Sequence, residues 1–140
     1  MGFKETAAVG SCALIALKVG DKLYVANCGD SKAVILREID NKYETINVSK
    51  TFNANKDYEK KRLEKLFPQE KDIIVCRSIK ECYVKNGLMP TRSIGDLNLK
   101  LKEINFHEFG SELGFQKPIK QFTGPYISAE PDIQVHKLTA

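Results

Sequence analysis

The chain has 140 residues, of which 42% are hydrophobic and 29% charged, a globular composition with room for one domain or part of one. Its 22 basic and 18 acidic residues leave a net charge of +4, too small and too scattered to mark a nucleic-acid face, and no nucleic-acid-binding pattern accompanies it. The longest uncharged run, residues 6–17, is twelve residues, well short of the roughly 20 a membrane-spanning helix needs, so neither nucleic acid nor membrane is expected as a partner.

In chain order, residues 11–19 are apolar on both alternating faces (Cys12, Leu14 and Ala16 against Ala13, Ile15 and Leu17), which predicts a strand buried on both sides. Gly20-Asp21 makes a two-residue hairpin loop, because glycine accepts the positive φ such turns require. Strands follow over 23–28, 33–37 and 43–48, separated by turns at 29–32 and at Asp40-Asn41. Four strands joined by three short turns predict an antiparallel meander over 11–48.

The period then changes. Leu63, Leu66 and Phe67 fall at i, i+3 and i+4 of a helix predicted over roughly 55–67, with Asn53 or Asn55 as its cap and Pro68 as its stop. The stretch Glu59-Lys60-Lys61-Arg62-Leu63-Glu64-Lys65 carries acids among its bases and reads as a solvated helix face. A short strand is expected over 72–76, a helical turn near Ser93, an irregular excursion over 97–123 and a closing strand over 127–138. The fold class is α+β.

Four cysteines, Cys12, Cys28, Cys76 and Cys82, form no C-x-x-C pair and no zinc-like spacing. They read as reduced thiols in an intracellular protein, cytoplasmic or mitochondrial. Met1-Gly2 with Thr6 fits the loose myristoylation pattern, and Asn47-Val48-Ser49 is formally a glycosylation sequon. His107 and His136 read as surface or packing residues.

Phosphate loops, dinucleotide glycine patterns and H-E-x-x-H are absent from the sequence. What stands out is four short segments in fixed order: Gly10-Ser11-Cys12-Ala13; Ala26-Asn27-Cys28-Gly29-Asp30-Ser31-Lys32-Ala33-Val34; Gly87-Leu88-Met89-Pro90-Thr91-Arg92-Ser93-Ile94-Gly95-Asp96; and Pro125-Tyr126-Ile127-Ser128-Ala129-Glu130-Pro131-Asp132-Ile133. This series resembles the metal-dependent protein phosphatases of the 2C (PPM) type, whose members show G-S-T-A, N-C-G-D-S-R-A, S-R-x-x-G-D and P-x-x-x-A-E-P-x-[IV] in that order. Leu88-Met89-Pro90 ahead of Thr91-Arg92, and the Gly124-Pro125-Tyr126 run with His136 close behind, look most like the pyruvate dehydrogenase phosphatase branch.

The resemblance implies a partial PPM-type β-sandwich flanked by helices. It also implies a Ser/Thr phosphoprotein substrate and two magnesium or manganese ions that activate a water for direct attack, the two-metal logic of hard cations with oxygen ligands. Asp30 matches the family's N-C-G-D aspartate at a further, weaker metal site; read from its turn alone, it ties that turn through an Asx-type hydrogen bond. Arg92 matches the S-R-x-x-G-D arginine beside the flap bordering the active site, where a guanidinium can meet a carboxylate or a substrate phosphate. The competing reading of Arg92 is structural, a tether to Asp96 or Asp30. Asp96 itself reads as architectural.

The departures matter as much. The sequence contains no Asp-Gly dipeptide and no tryptophan, so the family's principal metal motifs, D-G-H-G-G and D-G-x-W-[DE], are missing. Thr51-Phe52-Asn53-Ala54-Asn55 stands where many members carry T-x-D-H. Residues 1–140 are therefore expected to be the middle of a phosphatase catalytic domain, inactive alone, with exposed sheet edges and an apolar face that favour self-association. The rival reading is a non-catalytic phosphatase-like binding or regulatory module.

Overall fold

A computed structural model describes residues 4–105 and 118–138. Short strands β1 (Gly10–Ser11) and β2 (Ala13–Val19) lead into β3 (Lys22–Cys28), β4 (Val34–Ile39) and β5 (Lys42–Asn47). Helix α1 (Asp57–Leu66) follows, then β6 (Ile74–Ser78), β7 (Glu81–Val84), β8 (Ile94–Gly95) and β9 (Asp132–Lys137). The class is α+β, with every strand-to-strand ladder antiparallel.

Both predicted hairpin turns form, the first for the reason the glycine gives. Gly20 sits at φ +59°, and Asp40 and Asn41 occupy the left-handed region at +50° and +59°. Two successive positive φ values suit the right-handed twist of the strands that a two-residue loop must join. The meander nevertheless breaks into two hairpins. β2 pairs with β3 from Ala13↔Cys28 to Val19↔Lys22, and β4 with β5, but β3 and β4 do not pair. At 29–33 the chain leaves the ladder, and β9 takes the free edge of β3, from Lys22↔Lys137 to Asn27↔Asp132.

The expectation that the first long strand is buried on both sides is also corrected. In the three-stranded sheet β2-β3-β9, Val25 and Asn27 lie buried on one face, while Ile15, Leu17 and Val19 stand exposed on the other beside Ile133 and Val135. Among the described residues nothing covers this apolar face, with Ile15 and Ile133 each 62% exposed.

The helix starts and stops close to prediction, but neither asparagine caps it. Lys56 occupies the cap position without a side-chain bond. The Asn53 Oδ1 accepts from the Asn55 amide at 3.1 Å, a local turn ahead of the helix, and the Asn55 Oδ1 accepts from the distant Cys82 amide at 2.9 Å. Asp57 and Glu59 in the first turn complement the positive end of the helix dipole.

Leu63 anchors α1 in the main core with Ala54, Ile73, Cys82, Val84, Leu99, Tyr126 and Ile127, while Leu66 of the predicted apolar stripe remains exposed. Lys85, at φ +48°, is buried beneath the Tyr126 ring at 4.9 Å and meets Glu70 and Asp72. Burial lowers the Lys85 pKa, but hydrogen bonds to those two carboxylates outweigh it and hold it above the ordinary value.

Two further expectations change. Cys76 and Cys82 are not free thiols: register partners across β6 and β7, they are joined by a disulfide, leaving Cys12 and Cys28 free. Near Ser93 the chain forms the short strand β8, with a 3₁₀ turn only afterwards, at Leu97–Leu99. His107 and much of the excursion over 97–123 lie outside the described residues, and the closing strand begins at Asp132, just after Pro131. No helix among the described residues is long and apolar enough to cross a membrane.

Candidate functional site

The four segments singled out in the sequence, spread over more than a hundred positions, meet in space. β1 pairs with β8, Gly10 opposite Gly95. The approach is so close that a Cβ on Gly10 would fall 1.8 Å from the Asp96 Oδ2, and one on Gly95 2.3 Å from the Val9 carbonyl oxygen. Glycine at both positions lets two backbones and a carboxylate share this volume. Asp96 adopts φ +47°, and its amide donates to the Val9 carbonyl at 3.0 Å.

The second segment joins the first through Cys12. Gly29 has φ +138°, and its missing Cβ would lie 2.3 Å from the Cys12 Sγ. The same Sγ donates to the Asp30 Oδ1 at 3.5 Å. Burial pushes the Cys12 thiol pKa up, so it stays the donor. Asp30 is therefore half-buried on a glycine turn that follows directly from β3, a rigid base for a carboxylate.

The third and fourth segments join through Arg92. Arg92 and Ser128 form a parallel bridge, and the Ser93 amide donates to the Ser128 carbonyl at 2.9 Å. The Arg92 guanidinium lies over the Phe52 ring at 3.9 Å, and its Nη1 donates to the Glu130 carbonyl at 2.8 Å, while its Nε is buried with no hydrogen-bond partner. Of the two tethers expected for a structural Arg92, neither forms: no ion pair joins it to Asp30 or Asp96 among the described residues. A backbone carbonyl and an aromatic face hold it instead.

Nearby, the Lys100 Nζ donates to the Ser93 carbonyl at 2.6 Å; burial lowers its pKa against the opposing pull of Asp96. Burial raises the Cys28 thiol pKa, with Lys100 and Arg92 pulling the other way.

Glu59 is a buried neighbour of these segments that the sequence hid. Placed on a solvated face by charge pattern, it is 1% exposed. It accepts from the Thr91 Oγ1 at 2.6 Å and from the Arg62 Nε and Nη2 at 3.1 and 2.7 Å. Burial raises its carboxyl pKa, but hydrogen bonds from Arg62 and Thr91 outweigh it, and the net shift is downward. Glu59 thereby fixes Thr91, and with it the approach to Arg92, from α1. The E-x-x-R spacing of Glu59 and Arg62 was visible; the partner 32 residues away was not.

A pair of hard divalent cations wants a shell of oxygen ligands. Among the described residues no group of three or more Asp, Glu, His or Cys side chains could hold a metal ion. The described residues, Asp30 among them, do not amount to a binuclear centre.

Comparison with known proteins agrees with this convergence. The pattern of the family described as Protein phosphatase 2C matches residues 2–140. The chain is 35% identical over 136 residues to Probable protein phosphatase 2C 64 of Arabidopsis thaliana, covering 96% of this chain and 33% of that protein. It is 37% identical over 136 residues to Probable protein phosphatase 2C 34 of Oryza sativa subsp. indica, covering 96% of this chain and 35% of that protein. Probable protein phosphatase 2C 72 of Oryza sativa subsp. japonica is similar at 35%, covering 96% and 34%. The chain belongs to the protein phosphatase 2C family. It spans about a third of the length of these relatives.

Proposed function

We propose that this chain is part of a magnesium- or manganese-dependent protein phosphatase that hydrolyses phosphoserine and phosphothreonine esters with a metal-activated water. The observation that carries the reading is the meeting of the four segments: Gly10 against Asp96, Cys12 against Gly29 and Asp30, Arg92 against Ser128 and Glu130. Asp30 and Arg92 are its candidate functional groups. In the intact domain Asp30 would contribute one ligand to a weak divalent site, and the bound ions would supply charge neutralisation and an activated water. Arg92, braced by Phe52 and Glu130, sits on the chain that borders the site and serves first as a structural tie.

The likeness to the pyruvate dehydrogenase phosphatase branch rests on Leu88-Met89-Pro90 and the Gly124-Pro125-Tyr126 run alone; the relatives above carry other names. The partner is a phosphoprotein. An isolated chain would self-associate through the apolar face of Ile15, Leu17, Val19, Ile133 and Val135.

The test is hydrolysis of a phosphoserine peptide by the full-length protein, with manganese and with a chelator. Turnover that needs the metal and falls on Asp30→Ala supports the reading. Metal-dependent binding of the peptide without turnover would instead favour a non-catalytic module.

A further inference from the structure

The turn carrying Asp30 cannot be held by strand pairing, because the chain leaves the ladder there and β3 makes no ladder with β4. Its carbonyls need donors from elsewhere. One side chain supplies them. The Asn27 Nδ2 lies 3.2 Å from the Gly29 carbonyl oxygen, 2.8 Å from that of Ser31 and 2.8 Å from that of Lys50. Two hydrogens serve three acceptors, so at least one is shared. Turning the amide over would aim an oxygen at three carbonyl oxygens, which fixes its orientation. Asn27 is 1% exposed, and its Oδ1 accepts from no described group, so its contribution is donation alone.

We infer that Asn27 is a positioning residue for Asp30, clamping both sides of the Asp30 turn to the Lys50 carbonyl. The clamp is closed by a second bond, from the Phe52 amide to the Gly29 carbonyl at 3.0 Å. Phe52 is also the ring beneath Arg92. Asn27 thereby holds the Asp30 turn against the segment that supports Arg92. No other donor of a side chain reaches the Gly29 or Ser31 carbonyl among the described residues. The catalytic consequence rests on the role proposed for Asp30; the clamp itself does not.

Cys12 reports on the turn directly, since its Sγ packs at Gly29 and donates to Asp30. In the full-length protein, alkylation of Cys12 is followed by peptide mass spectrometry, with hydrogen exchange of the Leu17 and Val25 amides, which face ladder partners, as a control for the sheet. Asn27→Ala is expected to raise the Cys12 rate about tenfold or more while the control amides stay protected, the pattern of a local opening. Asn27→Ser, which keeps one donor, should give a smaller rise and decides the matter if the alanine variant does not fold.

A Cys12 rate unchanged in the folded variant overturns the inference. So does a rise matched by the control amides, which would show general loosening. Phosphopeptide turnover is read in the same samples: faster Cys12 alkylation with unchanged turnover keeps the clamp and removes Asp30 from the reaction, so the two failures are distinct.

Discussion

Replacing Glu59 tests the internal architecture most sharply. In Glu59→Ala the fully buried Thr91 hydroxyl loses its acceptor at 2.6 Å, and Arg62 loses both of its bonds to the carboxylate. A buried donor left unsatisfied costs about 1–3 kcal/mol, and removing one partner of a buried ion pair costs about 3–5 kcal/mol. The Arg62 side chain is 34% exposed and can regain water, so the lower ends of both ranges apply and the total is about 4 kcal/mol.

Glu59→Gln keeps one acceptor oxygen for Thr91 but loses the charge and one of the two oxygens facing Arg62, and should cost about 1–2 kcal/mol. The pH dependence separates charge from shape. The Glu59 pKa is lowered on folding, so its contribution is present above the unfolded value of about 4.3 and is lost as pH falls through the folded value. Urea unfolding of the full-length protein and of Glu59→Gln at pH 7 and near pH 3 reads this out: the gap should be clear at pH 7 and shrink in acid. A gap below about 0.5 kcal/mol at pH 7, or one that does not change with pH, would refute the reasoning.

Three further outcomes follow from the geometry. Gly10→Ala should destabilise by about 1–3 kcal/mol through overpacking against Asp96, and adding Asp96→Ala should restore part of the loss, which a double-mutant cycle of denaturation midpoints measures. Non-reducing peptide mapping should recover Cys76 linked to Cys82 while Cys12 and Cys28 alkylate, and protein with four alkylated cysteines before reduction would contradict this. Arg92→Ala should lower the melting temperature together with turnover, because the Phe52 stacking and the Glu130 bond are lost at once; a stable but slow variant would assign Arg92 to the reaction alone.

What could be read from the sequence was local. Gly20 and Asp40-Asn41 announced their turns because a positive φ is demanded within a few residues, and Pro68 announced the end of α1. What escaped was set by distant partners. β3 pairs with β9 about a hundred residues on, so the sheet order could not be inferred from short connections. Asn55 looks like a cap until the Cys82 amide, 27 positions on, claims it. β7 is only four residues with a bulge opposite it, too short for a periodicity to show.

At the site, the motifs named Asp30 and Arg92 but not the side chains that brace them. Arg92 was expected to find a carboxylate and found the Glu130 carbonyl and the Phe52 ring, partners no charge pattern reveals. Asn27 was quoted within its motif, yet its role depends on the Lys50 carbonyl, 23 positions away.

The proposed function has the convergence of these segments serve metal-dependent phosphate-ester hydrolysis. The most direct measurement is phosphate release from a phosphoserine peptide by the full-length protein, titrated with manganese, for the parent and for Asp30→Ala. Release should be abolished by a chelator, with the variant slower and needing more manganese for its full rate. Release that is indifferent to metal, or a variant indistinguishable from the parent across the titration, would contradict it.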